Sequence, residues 1–334
     1  MLFHAASVGE HRGSLALLPL FPEAVFSANT STAFAALKNA GARAEFLPPD
    51  LPLFMLPLIR RFSGITVFES ELNPNMIFLS VISGRKTVLL NGRMSNRNMP
   101  LYLIMKPFYK MLLRRFYAIG VPDEQQRENF RRLGAGSTVL KNTKYCRLDY
   151  RPSEKRNIIF FVSTHPEDEA VILDALRMSN RKEKVFILAP RHVNRASEIM
   201  KNFGKLNITA FTSVHDLNPG GVYLVDRMGL TAEIYARAAL TFVGGSFSSR
   251  TGGHNLMEPV GYGSYTLYGP HTENFKYESL AIEKHGVGKR ISDARQLSEA
   301  IADMGVSGNC NFENAINEMK CDIQAVLKIL KEKG

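Results

Sequence analysis

Two successive series of alternating strands and helices predict an α/β protein built from two doubly wound domains. Three observations carry that prediction. Short aliphatic segments alternate with helix-patterned ones along most of the 334 residues. A polar, charged stretch from Cys146 to Asn157, containing Pro152, separates one series from the next. Polar clusters follow several strands directly, at the carboxyl ends where open α/β sheets take their ligands.

In the first series, Leu2–Ala6 reads as a buried strand, followed by Ser7-Val8-Gly9-Glu10 and an apolar helix through Leu15, Leu18 and Leu20. Ala24–Ser27 is a second strand and Thr30–Asn39 an alanine-rich helix closed by Gly41. Phe46-Leu47 leads into a rigid Pro48-Pro49-Asp50 loop. Gly64–Phe68, Thr87–Asn91 and Tyr117–Val121 are further strands, and Pro122-Asp123-Glu124 opens a helix to Leu133.

The second series runs through strands Ile158–Val162, Val185–Ala189, Ile208–Phe211, Gly221–Val225, Leu240–Val243 and Tyr265–Tyr268. Its helices are Pro166–Met178, one beginning at Asn194, and Leu230–Ala238. A closing helix spans Phe312–Lys331. The expected division is 1–148, 149–311, and a C-terminal helix, 312–334, that packs back on the first domain.

The chain is long enough for two substantial cores. Cys146, Cys310 and Cys321 lack metal-site spacing and predict no disulfide scaffold, which fits a reducing cytoplasm. No apolar run reaches spanning length, and no charged n-region precedes Leu2, so neither a membrane span nor a signal peptide is expected. The net charge of +11 is uneven: Leu51–Pro122 holds ten basic residues against only Glu69 and Glu71. Such a segment suits a polyanion. No nucleic-acid motif accompanies it, so an anionic membrane surface or a phosphorylated substrate is the expected partner. Lys106, Lys110 and Arg114 recur at i, i+4 and i+8, with Leu103, Ile104, Phe108, Met111 and Leu112 supplying apolar surface and Pro107 expected to kink the helix. A core helix with a solvated basic edge fits the same pattern.

The richest stretch is Thr241–Pro259, where a strand stops at Gly244-Gly245 and Ser246 begins a polar run to Gly252-Gly253. Glycines let backbone approach a phosphate, and a helix beginning at Asn255 would offer free N–H groups. Asn255 and Glu258 suit a ribose diol; an ordinary cap with a dipole-favoured acid is the alternative. Ser163-Thr164-His165, Arg191-His192 and Met228-Gly229 also follow strands and would converge on the same rim. In the first half, Ser7 and Glu10 have capping-box spacing, which competes evenly with a catalytic role. Glu69 and Glu71, two apart, share a face at a strand end.

Together, His4-Ala5-Ala6-Ser7-Val8-Gly9-Glu10, Glu69–Asn75, Asn91-Gly92-Arg93-Met94-Ser95, Ser163-Thr164-His165, Pro190-Arg191-His192 and Gly244–Pro259 resemble, in order, the 3-deoxy-D-manno-oct-2-ulosonic acid (Kdo) transferases. The resemblance covers essentially the whole chain. It departs at Asn73, where members often carry Trp, and at Lys141–Cys146, a variant of the Gly-Asn-x-Lys-Phe-Asp element. It implies a GT-B glycosyltransferase, two Rossmann-like domains facing each other across a cleft. The implied reaction moves Kdo from CMP-Kdo to a lipid A precursor, with inversion and without metal or cofactor, at the cytoplasmic face of the bacterial inner membrane. Glu10 matches the catalytic glutamate. Ser163, Thr164, His165, Arg191, His192, Met228, Gly229, Gly244, Gly245, Ser246, Gly252, Gly253, Asn255 and Glu258 are the implied donor residues. Ser7, Gly9, Arg12, Glu69, Glu71 and Arg93 fall to the acceptor side or its framework. Other readings are a GT-B enzyme for another nucleotide sugar, or a non-catalytic lipid- or nucleotide-binding paralogue.

Overall fold

The computed structural model describes residues 1–69, 74–94, 98–151, 154, 156–180, 182–303 and 310–332. It divides into unit 1, Met1–Arg147 with Lys320–Gly334, and unit 2, Leu148–Met319.

Unit 1 carries strands β1 (Leu2–His4), β2 (Val25–Ala28), β3 (Arg43–Phe46), β4 (Gly64–Phe68), β5 (Lys86–Leu90), β6 (Ala118–Val121) and β7 (Thr138–Val139). They pair in parallel in the order β3-β2-β1-β4-β5-β6-β7. The order reverses at β1 and β4, so the loops after these two strands leave the sheet side by side. Helices α1 (Val8–Leu15), α2 (Ser31–Asn39), α3 (Pro52–Arg60), α4 (Pro74–Ile82), α5 (Met99–Ile104), α6 (Lys106–Leu113) and α7 (Glu124–Arg132) cover the faces.

Alternation along each strand gives the sheet two apolar faces. Leu2, Ile65, Val67 and Leu89 pack on one side with Met55, Ile59 and Leu113 from the helices. Phe3, Phe26, Phe68 and Leu90 pack on the other, where Phe3 meets Phe26 and Phe68 edge-on at 5.3 and 5.8 Å between centroids. Each side chain so buried contributes about 1.5–3 kcal/mol.

Unit 2 carries β8 (Arg156–Thr164), β9 (Val185–Pro190), β10 (Thr209–Ala210), β11 (Val222–Leu224), β12 (Ala238–Val243), β13 (Tyr265–Tyr268) and β14 (Gly288–Arg290). The order is β10-β11-β9-β8-β12-β13-β14, all parallel, with its reversal between β8 and β12. Its helices are α8 (Pro166–Met178), α9 (Ala196–Asn202), α10 (Thr231–Arg237), α11 (Met257–Gly261), α12 (Lys276–Lys284), α13 (Ala294–Ala302) and α14 (Phe312–Met319).

The expected single closing helix is two. It breaks at residues 320–322, where Asp322 caps α15 (Ile323–Lys331) by accepting from Ala325 N–H at 3.0 Å. Val326 and Leu330 of α15, with Cys321, lie buried among Phe3, Leu37 and Leu140 of unit 1. Lys86 Nζ donates to the Leu330 and Glu332 carbonyls, holding the end of α15 against the start of β5.

The basic segment differs from expectation in two ways. Pro107 interrupts the helix more sharply than a kink: α5 ends and α6 begins at Met105, and Pro107 sits in the first turn of α6, where its missing N–H costs nothing. Leu112 is core, not surface, and Leu103 packs partly on it; Ile104, Phe108 and Met111 are exposed beside Lys106 and Lys110. Arg114 is partly committed, its Nε donating to the Gly134 carbonyl at 3.1 Å. No helix among the described residues is long and apolar enough to cross a membrane.

Under the loop that follows β1 lie two fully buried histidines. His4 Nδ1 contacts Ser27 Oγ at 2.9 Å and His11 Nδ1 contacts Ser14 Oγ at 3.1 Å. His11 Nε2 is buried without a hydrogen-bond partner. Burial pushes both down to about 4 from 6.5. The unfolded chain therefore binds more protons once pH drops below about 6.5, and stability is lost as pH falls from there toward 4. We expect the urea midpoint of the protein to fall between pH 7 and 5.5, and to fall less in His11→Leu. Equal slopes in the two proteins would remove His11 from this role.

Candidate functional site

The sequence motifs gather at the two switch points. In unit 1, β1 runs out through Ala5-Ala6 into Ser7, the N-cap of α1. Ser7 Oγ accepts from Glu10 N–H at 3.3 Å, and Glu10 Oε2 accepts from the N–H groups of Ala6 and Ser7 at 2.8 and 3.3 Å. The capping box is therefore formed, and it fixes the half-buried Glu10 carboxylate at the carboxyl edge of the sheet. Ser7, Gly9 and Arg12 are exposed around it.

The neighbouring loop leaves β4 at Glu69, which adopts a left-handed φ of 66° while its N–H donates to the Leu90 carbonyl at 2.9 Å. Such a backbone is uncommon outside glycine and turns the chain sharply off the sheet. Glu71 lies outside the described residues. Asp50, in the predicted proline-rich loop, accepts from Asn75 and Met76 N–H groups at 3.1 and 2.9 Å and so caps the start of α4.

After β5, buried Asn91 is also left-handed (φ 55°) and clasps Thr143: Nδ2 donates to Thr143 Oγ1 at 2.9 Å and Oδ1 accepts from Thr143 N–H at 2.8 Å. Gly13 is required beneath this clasp, because a Cβ there would stand 2.7 Å from Asn91 Nδ2. The half-buried Arg93 follows, and Gln126 Oε1 holds the next residue, Met94, through its N–H at 2.7 Å.

In unit 2, the turn after β8 and the glycine-rich loop after β12 meet at one carboxylate that sequence reasoning missed. Asp168, almost fully buried in the first turn of α8, accepts from Gly245 N–H (2.6 Å) and His165 N–H (2.9 Å) on Oδ2 and from Phe247 N–H (3.2 Å) on Oδ1. Burial pushes its carboxyl above the usual range, against the opposing pull of those three donors. The fit is close: a Cβ on Gly244 would stand 2.7 Å from the Ser163 carbonyl oxygen, and one on Gly245 2.8 Å from the His254 ring.

The amides of Gly244, Gly245, Phe247, Gly252 and Gly253, where the sequence suggests backbone approaching a phosphate, are engaged internally. Gly244 N–H donates to the Val162 carbonyl, Gly252 N–H to Ser248 and Gly253 N–H to Gly245. Buried Ser246 Oγ donates to the Val243 carbonyl and accepts from Gly269 N–H. The expected helix at Asn255 is corrected. α11 is a single five-residue turn from Met257, and Asn255 Oδ1 accepts from Met257 N–H at 3.1 Å in the loop before it. Pro259 and Gly261 inside this segment account for its shortness.

The side chains are what converge. His165 Nε2 lies 2.9 Å from His254 Nε2 with the rings stacked, and the His192 ring stands edge-on to His165 at 5.9 Å. Arg191 N–H donates to the Thr164 carbonyl at 3.0 Å, which seats the exposed Arg191 and His192 beside the left-handed Ser163 (φ 55°). Thr164 Oγ1 donates to buried Glu169, which also takes Arg195 bidentately at 2.9 and 2.8 Å and so ties α8 to the segment after β9. Half-buried Glu258 belongs to α11. Met228 is exposed, followed by Gly229 at φ 94°. His254, Glu169 and Arg195 are not among the residues the sequence singles out.

Residues 1–147 match the family model of 3-deoxy-D-manno-octulosonic-acid transferase (kdotransferase). The chain is 32% identical over 359 residues to the 3-deoxy-D-manno-octulosonic acid transferase of Rickettsia typhi, covering 98% of this chain and 75% of that protein. With the enzyme of the same description from Chlamydophila psittaci it is 30% identical, covering 81% and 70%. With that of Rickettsia felis it is 31% identical, but spans 63% of that relative's length. Among solved structures, MurG of Acinetobacter baumannii superposes with a TM-score of 0.63 at 11% identity, covering 99% of both chains. UDP-GlcNAc 2-epimerase of Neisseria meningitidis gives 0.62 at 10% identity, covering 98% of this chain and 99% of that one. At such identities these two likenesses bear on the fold alone, the GT-B class of paired doubly wound units. With three relatives at 30% identity or above, two of them covered over at least two thirds of their length, the chain belongs to the 3-deoxy-D-manno-octulosonic acid transferases, a family of glycosyltransferases.

Proposed function

We propose that this protein transfers Kdo from CMP-Kdo to a lipid A precursor, by a metal-independent displacement that inverts the anomeric carbon. Family membership carries the reading. The placement of the motif residues at both switch points supports it. The acceptor hydroxyl oxygen attacks the anomeric carbon, the bond from that carbon to the phosphate oxygen breaks, CMP departs with the bonding pair, and the hydroxyl proton passes to a carboxylate.

Unit 2 is the donor unit in this reading. Arg191 and the histidines beside it offset the phosphate charge as it grows, which lowers the barrier without lowering the ground state equally. Asn255 and Glu258 take the ribose, and Met228-Gly229 borders the cytosine. Loss of one charge-assisted hydrogen bond predicts that Arg191→Ala weakens CMP binding about ten- to a hundredfold. Titration calorimetry checks this; unchanged affinity in both Arg191→Ala and Glu258→Ala would overturn the assignment.

Glu10 of unit 1 is the general base. The N–H groups of Ala6 and Ser7 both address Oε2, an arrangement that orients the carboxylate. Removing a general base costs about 10²–10⁴ in turnover, so Glu10→Gln should lose that much while the protein stays folded and binds CMP. Near-normal turnover in Glu10→Gln would leave the residue as a helix cap only, with the base to be sought at Glu69 or Glu71.

The acceptor is an anionic lipid in this reading, and α6 meets the membrane surface through Lys106 and Lys110, with Ile104, Phe108 and Met111 exposed beside them. Each basic residue near an anionic surface contributes about 1 kcal/mol. Co-sedimentation with vesicles should rise with anionic lipid content and fall on charge reversal at both lysines. Indifference to both changes would remove this surface.

A further inference from the structure

Two imidazoles meet at the switch point of unit 2. A 2.9 Å contact between His165 Nε2 and His254 Nε2 holds one proton, one ring donating and the other accepting. With both rings neutral the pair is uncharged. A second proton, placed on an Nδ1, leaves that contact intact and turns it into a charge-assisted hydrogen bond shared by two rings.

The charged groups around His165 come from every side of this turn. Asp168 and Glu167 face it from α8, Arg191 and His192 from the segment after β9, and His254 from the glycine-rich loop. Burial, His192 and Arg191 hold His165 below its ordinary value, while the two carboxylates oppose them. A phosphate arriving here adds negative charge and moves that balance toward protonation.

Five amides of the glycine-rich loop are already engaged. Gly245 and Phe247 N–H groups already serve Asp168, and Gly244, Gly252 and Gly253 N–H groups serve carbonyls. Arg191 supplies one fixed positive charge. The phosphate, singly charged while esterified to the sugar, gains a second charge as that bond breaks.

We infer that the His165–His254 pair compensates this second charge, taking up one solvent proton as the nucleotide phosphate becomes a dianion and returning it when the nucleotide leaves. The idea rests on the donor reading above and adds a protonation event to it. No net proton is consumed by the pair over a cycle. His254 thereby joins the donor reading through its contact with His165.

Calorimetric titration of the full chain with CMP at pH 7.5, in buffers of different ionisation enthalpy, counts protons directly. Uptake of about 0.5–1 proton per CMP is expected, with affinity weakening by up to tenfold per pH unit above that point. His254→Gln, and independently His165→Gln, should abolish the uptake and flatten the pH dependence while CMP still binds. Histidine ¹⁵N shifts of the unsubstituted protein, with and without CMP, give the same answer should either variant fail to fold. Binding without proton uptake, or ¹⁵N shifts that stay neutral on binding, would overturn the inference and leave the donor reading standing. Uptake that persists in both variants would place the proton on the phosphate itself, whose second ionisation lies near 6, and would also overturn it. Absence of CMP binding altogether would overturn the donor reading and this inference with it.

Discussion

One buried carboxylate holds two loops of unit 2 in register. Asp168 gathers N–H groups from two loops that are 77 or more residues apart in sequence. A carboxylate in this setting has given up its hydration and regained it as backbone hydrogen bonds, so the loops cannot drift without stranding a charge. The glycines are the geometric counterpart. Gly244 passes within contact of the Ser163 backbone only because it lacks a Cβ, and Gly245 must be left-handed to turn toward the imidazole beneath it. Glycine-rich sequence here serves loop-to-loop packing, and polar side chains project from that packing.

Unit 1 solves the same problem with a side-chain amide and a helix cap. The Asn91 amide, clasped to Thr143, fixes the loop after β5, while the Ser7–Glu10 box fixes the loop after β1. A catalytic carboxylate and a helix cap are often treated as rival roles. Here a single residue can hold both, since orienting a base and satisfying the first turn of a helix ask for the same rigid placement.

Much of the fold was legible because its signals are local. Gly64–Phe68, Pro166–Met178 and Tyr265–Tyr268 stand where aliphatic runs and caps put them. Segments whose character depends on partners were not legible. α3 carries Pro57 in its interior, and β14 is the short, charged Gly-Lys-Arg, whose place in the sheet comes from pairing with β13. α12 and α13 were passed over entirely. At the site, residue types at strand ends were readable, since switch-point loops must be polar. The direction of each N–H was not. Whether an amide faces a ligand or a carboxylate 77 positions away is a tertiary fact, and a glycine-rich pattern is silent about it.

The position of α15 has a consequence for how the protein is made. Its Val326 and Leu330, with Cys321 just before it, complete a hydrophobic cluster otherwise built from the first 146 residues, with all of unit 2 encoded in between. During synthesis from the amino terminus, unit 1 emerges early but keeps an apolar groove open until residue 331 has left the ribosome. Unit 2 has no such debt and can close first. A chain still lacking residues 321–331 leaves that apolar patch of unit 1 uncovered, the kind of surface through which incomplete chains aggregate.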